Sequence, residues 1–199
     1  MTFERIVRPN LGSGTVEIID GIEFPGLGSA GFGPNDFLYI GSDGDDLETI
    51  GSPGNDEFEG EAGNDIIAGG NGNDRLEGDA GDDDLDGQGG SDILEGGAGN
   101  DILRAGSGHD ELTGGTGNDT FGFYGLGHYH VKDFSISDDR LFFDATKIGV
   151  DNVSDLVKNI THIDQRSDGV TVEFGPNASI ELVGVNLADI SAGMVVFHL

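Results

Sequence analysis

Residues 51–122 read, without a gap, as eight nonapeptides: GSPGNDEFE, GEAGNDIIA, GGNGNDRLE, GDAGDDDLD, GQGGSDILE, GGAGNDILR, AGSGHDELT and GGTGNDTFG. The fourth residue is always glycine: Gly54, Gly63, Gly72, Gly81, Gly90, Gly99, Gly108 and Gly117. The sixth is always aspartate: Asp56, Asp65, Asp74, Asp83, Asp92, Asp101, Asp110 and Asp119. The eighth is always Phe, Ile or Leu: Phe58, Ile67, Leu76, Leu85, Leu94, Leu103, Leu112 and Phe121. Low-complexity drift does not keep three residue classes at one spacing, so this segment is a structural repeat.

The chemistry of each nonapeptide predicts a turn followed by a very short strand. The first six residues are rich in Gly, Asn and Asp, which favour turns because glycine tolerates positive φ. The last three residues have an apolar centre and predict a strand whose central side chain points inward while its neighbours point outward. Two nonapeptides then complete one coil of 18 residues, so each repeat stacks on the second repeat after it.

Stacking gathers the sixth-position aspartates into two columns. The first column holds Asp56, Asp74, Asp92 and Asp110, and the second holds Asp65, Asp83, Asp101 and Asp119. Stacked strands lie about 4.8 Å apart, and bare carboxylates at that spacing repel by about 1–4 kcal/mol per pair. A cation must therefore lie between them. Ca²⁺ takes about six to eight oxygens from carboxylates and carbonyls, and it fits better than Mg²⁺, which demands a tighter octahedron. Three intervals in each of the two columns predict six sites.

Composition narrows the classes of function. The chain carries 38 acidic and 9 basic residues, a formal net charge of −29, and 35% hydrophobic residues. Binding to nucleic acid is disfavoured because a phosphate backbone needs clustered Lys and Arg. The absence of cysteine excludes disulfides and a cysteine zinc site. No apolar stretch reaches the roughly 18–20 residues of a membrane span. The low hydrophobic content disfavours an ordinary compact enzyme with one large core.

The repeat resembles GGxGxDxUx, the nonapeptide of the RTX (repeats-in-toxin) proteins. The resemblance covers residues 51–122 and implies an all-β fold, a parallel β-roll (a right-handed β-solenoid) that binds Ca²⁺. It also implies that the eight sixth-position aspartates and the backbone carbonyls of the eight fourth-position glycines are the metal ligands. Degenerate copies at 31–39 and 41–49 add Asp36 and Asp46 as candidate extra ligands. Ala105 replaces one first-position glycine. Four residues replace second-position glycines, where altered carbonyl geometry is expected: Ser52, Glu61, Asp79 and Gln88.

The flanks predict three regions: an N-terminal cap of irregular strands (1–40), the roll (41–122), and a β-rich C-terminal cap (123–199). Strand patterns in the last region cover 131–134, 140–143, 170–174, 180–183 and 194–197, and a short helix is predicted over 152–159 with Ser154 as N-cap. This cap would cover the unpaired backbone at the end of the roll. Segments 119–123, 132–143 and 169–197 resemble the C-terminal flank of type I-secreted RTX proteins. That resemblance implies an uncleaved secretion signal.

Three further motifs have simpler interpretations. GLGSAG at 26–31 is flanked by prolines and favours a loop over a dinucleotide site. The acids at 82, 84 and 86 mimic the start of an EF-hand loop, but Ile93 stands where that loop needs a bidentate Glu. His128 and His130, with Asp133 nearby, could bind Zn²⁺ or Cu²⁺, although two same-face histidines on a strand are more often incidental. His109 stands where other repeats have Asn.

The sequence contains no HExxH, GxSxG or Walker pattern, so no catalytic residue is assigned and the chain is not expected to be an enzyme. The resemblance implies a secreted calcium-binding protein or module of a Gram-negative bacterium, exported by type I secretion machinery. It is expected to be disordered without Ca²⁺ and to fold on binding about six or more Ca²⁺ outside the cell. Two alternatives stay open. One is a polysaccharide-binding accessory module of an alginate-epimerase-like enzyme, and the other is the detached C-terminal secretion module of an RTX protease or lipase.

Overall fold

The computed structural model describes residues 6–9, 16–19, 38–46, 49–149 and 152–197. The described strands before the regular repeats are β1 (Ile6–Pro9), β2 (Val16–Ile19), β3 (Leu38–Ser42) and β4 (Thr49–Ile50). The regular repeats contain β5 (Glu57–Glu61), β6 (Ile66–Asn71), β7 (Arg75–Ala80), β8 (Asp84–Gly90), β9 (Ile93–Ala98), β10 (Ile102–Arg104), β11 (Ser107–Thr116) and β12 (Thr120–Phe123). The remainder contains β13 (Gly127–Val131), β14 (Arg140–Phe143), α1 (Ala145–Ile148), α2 (Val153–Asn159), β15 (His162–Arg166), β16 (Gly169–Glu173), β17 (Ser179–Val183) and β18 (Val195–Val196).

The strands of the repeats form two parallel ladders. β5, β7, β9 and β11 pair in one ladder, and β6, β8, β10 and β12 pair in the other. Phe58 pairs with Leu76 and Ile67 pairs with Leu85, so the register advances by the 18 residues of one coil. This arrangement confirms the predicted parallel β-roll.

Most strands of the regular repeats are longer than the predicted three residues, although β10 spans three. β8 spans 7 residues and β11 spans 10. Pairing continues past the apolar centre, since Gly70 pairs with Gln88 and Asp79 pairs with Gly97. The first two positions of a repeat therefore extend the preceding strand, because two glycines can keep ladder hydrogen bonds as readily as they form a turn.

The core of the roll consists of the stacked eighth-position side chains. Each of these eight residues is at most 2% exposed, and strands such as β7 alternate between half-buried and buried residues as the period of two requires. The neighbours of the core residues point outward as predicted, and Ile66 is exposed. Each coil buries only two large apolar side chains, so the interior is narrow and has little hydrophobic stabilisation per residue.

The C-terminal strands continue both ladders. β13 pairs parallel to β11 and then to β17, while β14 pairs parallel to β12 and then to β18. β15, β16 and β17 form an antiparallel meander. Because one hydrophobic cluster runs from Tyr39 to Met194, the roll and its C-terminal region share a core, and the predicted domain boundaries stay a prediction.

Most predicted C-terminal elements are confirmed to within one or two residues at either end, including β14, β16, β17 and α2. The strand predicted over 131–134 is wrong, because β13 ends at Val131. The N-cap of α2 is Asn152 instead of Ser154, and its side chain accepts from the Asp155 amide at 2.9 Å. The antiparallel strand β15 was missed. Within the described parts of the chain, no helix is long and apolar enough to cross a membrane.

Candidate calcium-binding columns

The sixth-position aspartates lie inside the roll, in the two columns that the repeat predicts. All eight are at most 2% exposed. Their backbone carbonyls belong to the sheets: the Asp83 carbonyl accepts from Ile102 N–H, and the Asp92 carbonyl from Glu111 N–H, both at 2.8 Å. The side-chain oxygens therefore remain as the groups that face the interval between coils.

One oxygen of each carboxylate ties neighbouring coils together. Oδ1 accepts from the backbone N–H of the aspartate one coil earlier, as in the bond from Asp65 N–H to Asp83 Oδ1 at 2.8 Å. The same bond recurs down both columns at 2.8–3.0 Å: Asp56 to Asp74, Asp74 to Asp92, Asp83 to Asp101, Asp92 to Asp110 and Asp101 to Asp119. This ladder holds the carboxylates in a fixed orientation.

The second oxygen of the carboxylate is buried without a hydrogen-bond partner. The Oδ2 atoms in this position belong to Asp65, Asp83, Asp92, Asp101 and Asp110. A buried, unsatisfied carboxylate oxygen is costly, because it has lost water and gained nothing in exchange. At the N-terminal end of the first column the arrangement differs, since Asp56 Oδ2 accepts from Ser52 N–H at 2.6 Å.

First-position glycines leave the space that these oxygens face. An ideal Cβ on Gly60 would lie 2.5 Å from Asp65 Oδ2 and 2.8 Å from the carbonyl oxygen of Gly78. An ideal Cβ on Gly87 would meet Asp92 Oδ2 and the Ala105 carbonyl oxygen in the same way. A carboxylate oxygen of one coil and a carbonyl oxygen of the next therefore converge on one small cradle, which any side chain at the first position would fill.

Fourth-position glycines line the same intervals from the Oδ1 side. Gly90 has a φ of +155°, and the carbonyl oxygen of Gly72 occupies the place that its Cβ would take. Asp92 Oδ1 lies 3.1 Å from that same point. Glycine is needed here twice over, for the left-handed backbone and for the close approach of the neighbouring carbonyl.

The electrostatics of the columns oppose their ionised form in the absence of a cation. Burial raises the pKa of Asp83, Asp92 and Asp110 to about 7 and that of Asp65 and Asp101 to about 6. The charge of neighbouring aspartates adds to the rise for most of them, and the backbone N–H bonds oppose it. A bound dication removes both penalties, since it replaces the lost hydration and separates the charges.

These oxygens fit Ca²⁺. Carboxylate and carbonyl oxygens are the hard ligands that Ca²⁺ prefers, and the cradles provide both. Among the described residues, no three His, Cys, Asp or Glu side chains are grouped so that they could hold a metal ion.

The structure extends the second column beyond the regular repeats. Asp46 N–H donates to Asp65 Oδ1 at 2.7 Å, and Asp119 N–H donates to Asp139 Oδ1 at 2.9 Å. Asp46 is buried and its role as a ligand stays a prediction, whereas Asp36 lies outside the described residues. Asp139 was missed because it stands 20 residues after Asp119, outside the period of 18.

A second ladder, at the fifth position, was also missed. Side-chain oxygens of Asn55, Asn73, Asn64, Asp82 and Asn100 each accept from the backbone N–H of the fifth-position residue one coil later, at 2.7–3.1 Å. The preference for Asn or Asp at this position is the signal that could have revealed it. This outer ladder reinforces the turns alongside the columns.

Three of the four second-position substitutions have a left-handed backbone, as the glycines at that position do. Glu61, Asp79 and Gln88 have φ of 73°, 67° and 65°, against 105° for Gly70 and 108° for Gly97. Left-handed backbone costs a non-glycine residue about 1–2 kcal/mol. The backbone at these three residues is therefore strained and does not adopt a different turn.

The acids of the EF-hand-like stretch have separate partners. Asp82 belongs to the fifth-position ladder, Asp84 pairs with Arg104 at 2.5 Å, and Asp86 accepts from the Tyr124 hydroxyl. Asp133 does not join His128 and His130, since its two oxygens accept from Gly114 N–H and Gly115 N–H. The motif at 26–31 lies outside the described residues.

One family model and two solved structures are similar to parts of this chain. Residues 50–85 and 86–121 match the family model described as RTX calcium-binding nonapeptide repeat (4 copies). No curated protein sequence matches the chain. Among solved structures, extracellular lipase LipA from Serratia marcescens is similar at 22% identity over 82% of this chain, with a TM-score of 0.43, and this chain spans 40% of the lipase chain. The AlgE6R3 subunit of the Azotobacter vinelandii mannuronan C5-epimerase is similar at 25% identity, over 79% of this chain and 80% of that subunit, with a TM-score of 0.37.

Proposed function

We propose that this chain, whose residues 50–121 match the model of the RTX calcium-binding repeat, is a secreted module that is disordered without Ca²⁺ and folds into its β-roll on binding the ion. The observation that carries the proposal is the pair of buried aspartate columns, with unsatisfied Oδ2 atoms on Asp65, Asp83, Asp92, Asp101 and Asp110. The proposed ligands are the eight sixth-position carboxylates, the eight fourth-position carbonyls, and the first-position carbonyls that converge with Oδ2.

The free energy of calcium binding is of the right size to control folding. Extracellular calcium modules have dissociation constants near ~10⁻⁴ M, so about 1 mM Ca²⁺ stabilises the folded state by about 1.4 kcal/mol per site. Six sites supply about 8 kcal/mol, which is comparable to the net stability of a whole domain. Since the narrow core has little other stabilisation, losing the ions would unfold the roll.

The number of ions follows from the intervals of the columns. The regular repeats supply three intervals in each column, which give six sites. Two further intervals, from Asp46 to Asp65 and from Asp119 to Asp139, carry the same hydrogen bond and extend the second column at both ends. We therefore expect at least six Ca²⁺ per chain, and eight if both end intervals bind.

Export is compatible with an unfolded state at low Ca²⁺ and a folded state at high Ca²⁺. A chain that stays unfolded where free Ca²⁺ is low can pass through a narrow type I channel and fold outside, where Ca²⁺ is millimolar. The C-terminal segment after the repeats would serve as the uncleaved signal, and a Gram-negative bacterium would be the source. Fusion of residues 123–199 to a passenger, with and without the type I transporter, tests this part separately from calcium binding.

Binding to an acidic polysaccharide is the weaker alternative. Arg75 and Arg104 are the bases of the regular repeats, and both are engaged with acids: Arg75 contacts Glu77 and Glu95, and Arg104 contacts Asp84. A polyanion would therefore have to be bridged by Ca²⁺. Alginate binding measured with Ca²⁺ and with chelator separates this role from calcium binding alone, and the length of the open reading frame tests whether the chain is part of an enzyme.

A paired substitution tests the proposed function. Asp83→Asn removes one charge and one oxygen ligand from the second column. Asp82→Asn removes the same charge from the adjacent exposed position, where Asn64 and Asn100 already serve as ladder acceptors. Circular dichroism over a Ca²⁺ titration should show coil at low Ca²⁺ and β-structure at high Ca²⁺, with Mg²⁺ much less effective.

Isothermal titration calorimetry should then show fewer Ca²⁺ bound by Asp83→Asn and an unchanged number bound by Asp82→Asn. A wild-type chain that is fully β-structured in chelator would refute calcium-gated folding. Equal losses of Ca²⁺ in the two variants would refute the assignment of the buried column as the ligand.

A further inference from the structure

Two histidines meet on the surface at the junction between the last regular coil and the C-terminal region. β11 and β13 are parallel with His109 directly opposite His128. The centroids of the two imidazole rings lie 4.7 Å apart with an interplanar angle of 34°. His109 is exposed and His128 is half-buried, so both rings can be reached from solvent.

The next strand orients one of these rings. β13 pairs with β17, which places Ser179 opposite His128, and the Ser179 hydroxyl lies 2.8 Å from His128 Nδ1. A hydroxyl can accept the Nδ1 proton, and Nε2 then carries the lone pair. Metal-binding histidines are held in this way, with the second ring nitrogen hydrogen-bonded to a neighbouring group.

We propose that His109 and His128 form a two-imidazole site for a transition metal such as Zn²⁺ or Cu²⁺, separate from the calcium columns. Imidazole nitrogens suit Zn²⁺, Cu²⁺ and Ni²⁺, whereas Ca²⁺ selects oxygen ligands. A metal with nitrogen ligands at about 2.0–2.1 Å brings two such nitrogens to about 3–3.4 Å of each other, which a ring separation of 4.7 Å allows with small rotations of the side chains. Water completes the coordination shell.

The surrounding charge favours a cation at this place. The chain has a net charge of −29, and Glu111 and Glu181 lie on the same face, two residues along from the pair. Lys132 and Arg166 lie 2.6 and 3.8 Å from these two glutamates and offset part of their charge. An acidic surface concentrates divalent cations near it. His130 on that row is engaged by Glu181 at 3.1 Å, whereas the ring of His109 contacts the ring of His128 directly.

A metal at this site would connect the roll to its C-terminal region. His109 belongs to the seventh nonapeptide, while His128 and Ser179 belong to strands that follow the repeats. Binding would therefore join two parts of the chain that are 19 residues apart in sequence at that rung. We expect it to raise the melting temperature of the calcium-loaded chain.

The test uses the untagged full chain in excess Ca²⁺, titrated with Cu²⁺ or Zn²⁺ in a calorimeter. His109→Asn restores the residue that Asn55 and Asn73 provide at the same repeat position, so the fold should persist, and a Ca²⁺ titration checks it. We expect at least a tenfold loss of transition-metal affinity, and a similar loss in His128→Gln. Removing the hydroxyl in Ser179→Ala should cost about tenfold or more.

The matched control is His162→Asn, which changes an exposed histidine on β15, and it should bind as the wild type does. Electron paramagnetic resonance of the Cu²⁺ complex should show nitrogen coupling that weakens in His109→Asn. Wild-type affinity in His109→Asn, or an equal loss in His162→Asn, would overturn the proposal. So would a site that depends on His130 and not on His109.

Discussion

Gly87→Ala adds one methyl group to the roll and removes no ligand, so it tests where the ions lie. The added Cβ would be 2.6 Å from Asp92 Oδ2 and 2.9 Å from the Ala105 carbonyl oxygen. Gly87 lies outside the left-handed region of φ, so alanine brings no backbone strain there. The methyl would occupy the cradle between two oxygens that the proposed ion bridges.

The expected loss is that of one ion. One site contributes about 1.4 kcal/mol at about 1 mM Ca²⁺ for a dissociation constant near ~10⁻⁴ M. The crowded carboxylate adds to the loss, whereas replacing glycine in a strand by alanine returns about 0.5–1 kcal/mol. We expect one fewer Ca²⁺ per chain by equilibrium dialysis. Urea unfolding at 1 mM Ca²⁺ should show a free energy of unfolding lower by about 1–2 kcal/mol.

Ala105 provides the control within the same chain. It occupies the first position of its repeat, where the others have glycine, yet it follows the last interval of the first column, because Asp110 pairs with Tyr129 and not with another aspartate. Its methyl therefore blocks no site, and Ala105→Gly should leave the Ca²⁺ count unchanged. Full Ca²⁺ binding by Gly87→Ala, or an additional ion in Ala105→Gly, would refute the placement of ions between Oδ2 and the first-position carbonyls.

Three other predictions follow from the core, the strained turns and the buried acids. Leu94→Ala should lower the free energy of unfolding by about 2–5 kcal/mol in saturating Ca²⁺, because the side chain is fully buried in a narrow core; an effect below 1 kcal/mol on urea unfolding would contradict this packing. Gln88→Gly should raise stability by about 0.5–1 kcal/mol by relieving a φ of 65°, while Gln88→Ala, which keeps the strain, should not. Without Ca²⁺, lowering the pH from 8 to 5 should increase β-structure by circular dichroism. The folded-state pKa of Asp83 and Asp92 is about 7 and lies above that of the same groups in the unfolded chain. The contribution of these two carboxyls to the stability of the fold therefore grows as the pH falls toward about 4 and is lost as the pH rises through 7. No change in β-structure between pH 8 and pH 5 would contradict the burial of ionisable columns.

The invariant positions of the repeat predicted the roll, its core and its aspartate columns. Position eight predicted the core, because each strand has one inward-pointing apolar side chain and it occupies that position. Position six predicted the two columns, because a coil of two repeats stacks every second aspartate. The stacking, the core and the columns followed from the spacing, whereas the right-handed parallel β-roll came from the resemblance to the RTX nonapeptide. The ligand roles of the eight aspartates and the eight glycines remain predictions that calcium titration must test.

Features that depart from the nine-residue period could not be predicted from the sequence. Asp139 continues the second column 20 residues after Asp119, where an insertion places it in register. Strand lengths were underestimated because glycine pairs favour both turns and ladders. The fifth-position ladder was missed because Ser91 and His109 interrupt its run of Asn and Asp. In each case the missing information is a contact between coils, which the composition of a single repeat does not contain.

The two columns end differently, and that difference decides the ion count. The first column ends where Tyr129 pairs with Asp110, and the carbonyl oxygens of Gly106 and Gly125 lie 2.8 and 2.9 Å from the Tyr129 hydroxyl and share its one proton. The phenol binds the turn directly at the place where the next aspartate would stand, so the first column offers no further pair of aspartates to an ion. The second column continues to Asp139, which accepts from Asp119 and Ser135 and carries its charge into the C-terminal region. Residues 51–122 hold 18 acids and two arginines, a net charge of −16, and six Ca²⁺ would leave −4. The two further ions would lie in the end intervals of the second column, where Asp46 or Asp139 would be one of the ligands. In a roll with eight ions, most of the positive charge would therefore lie along the second column.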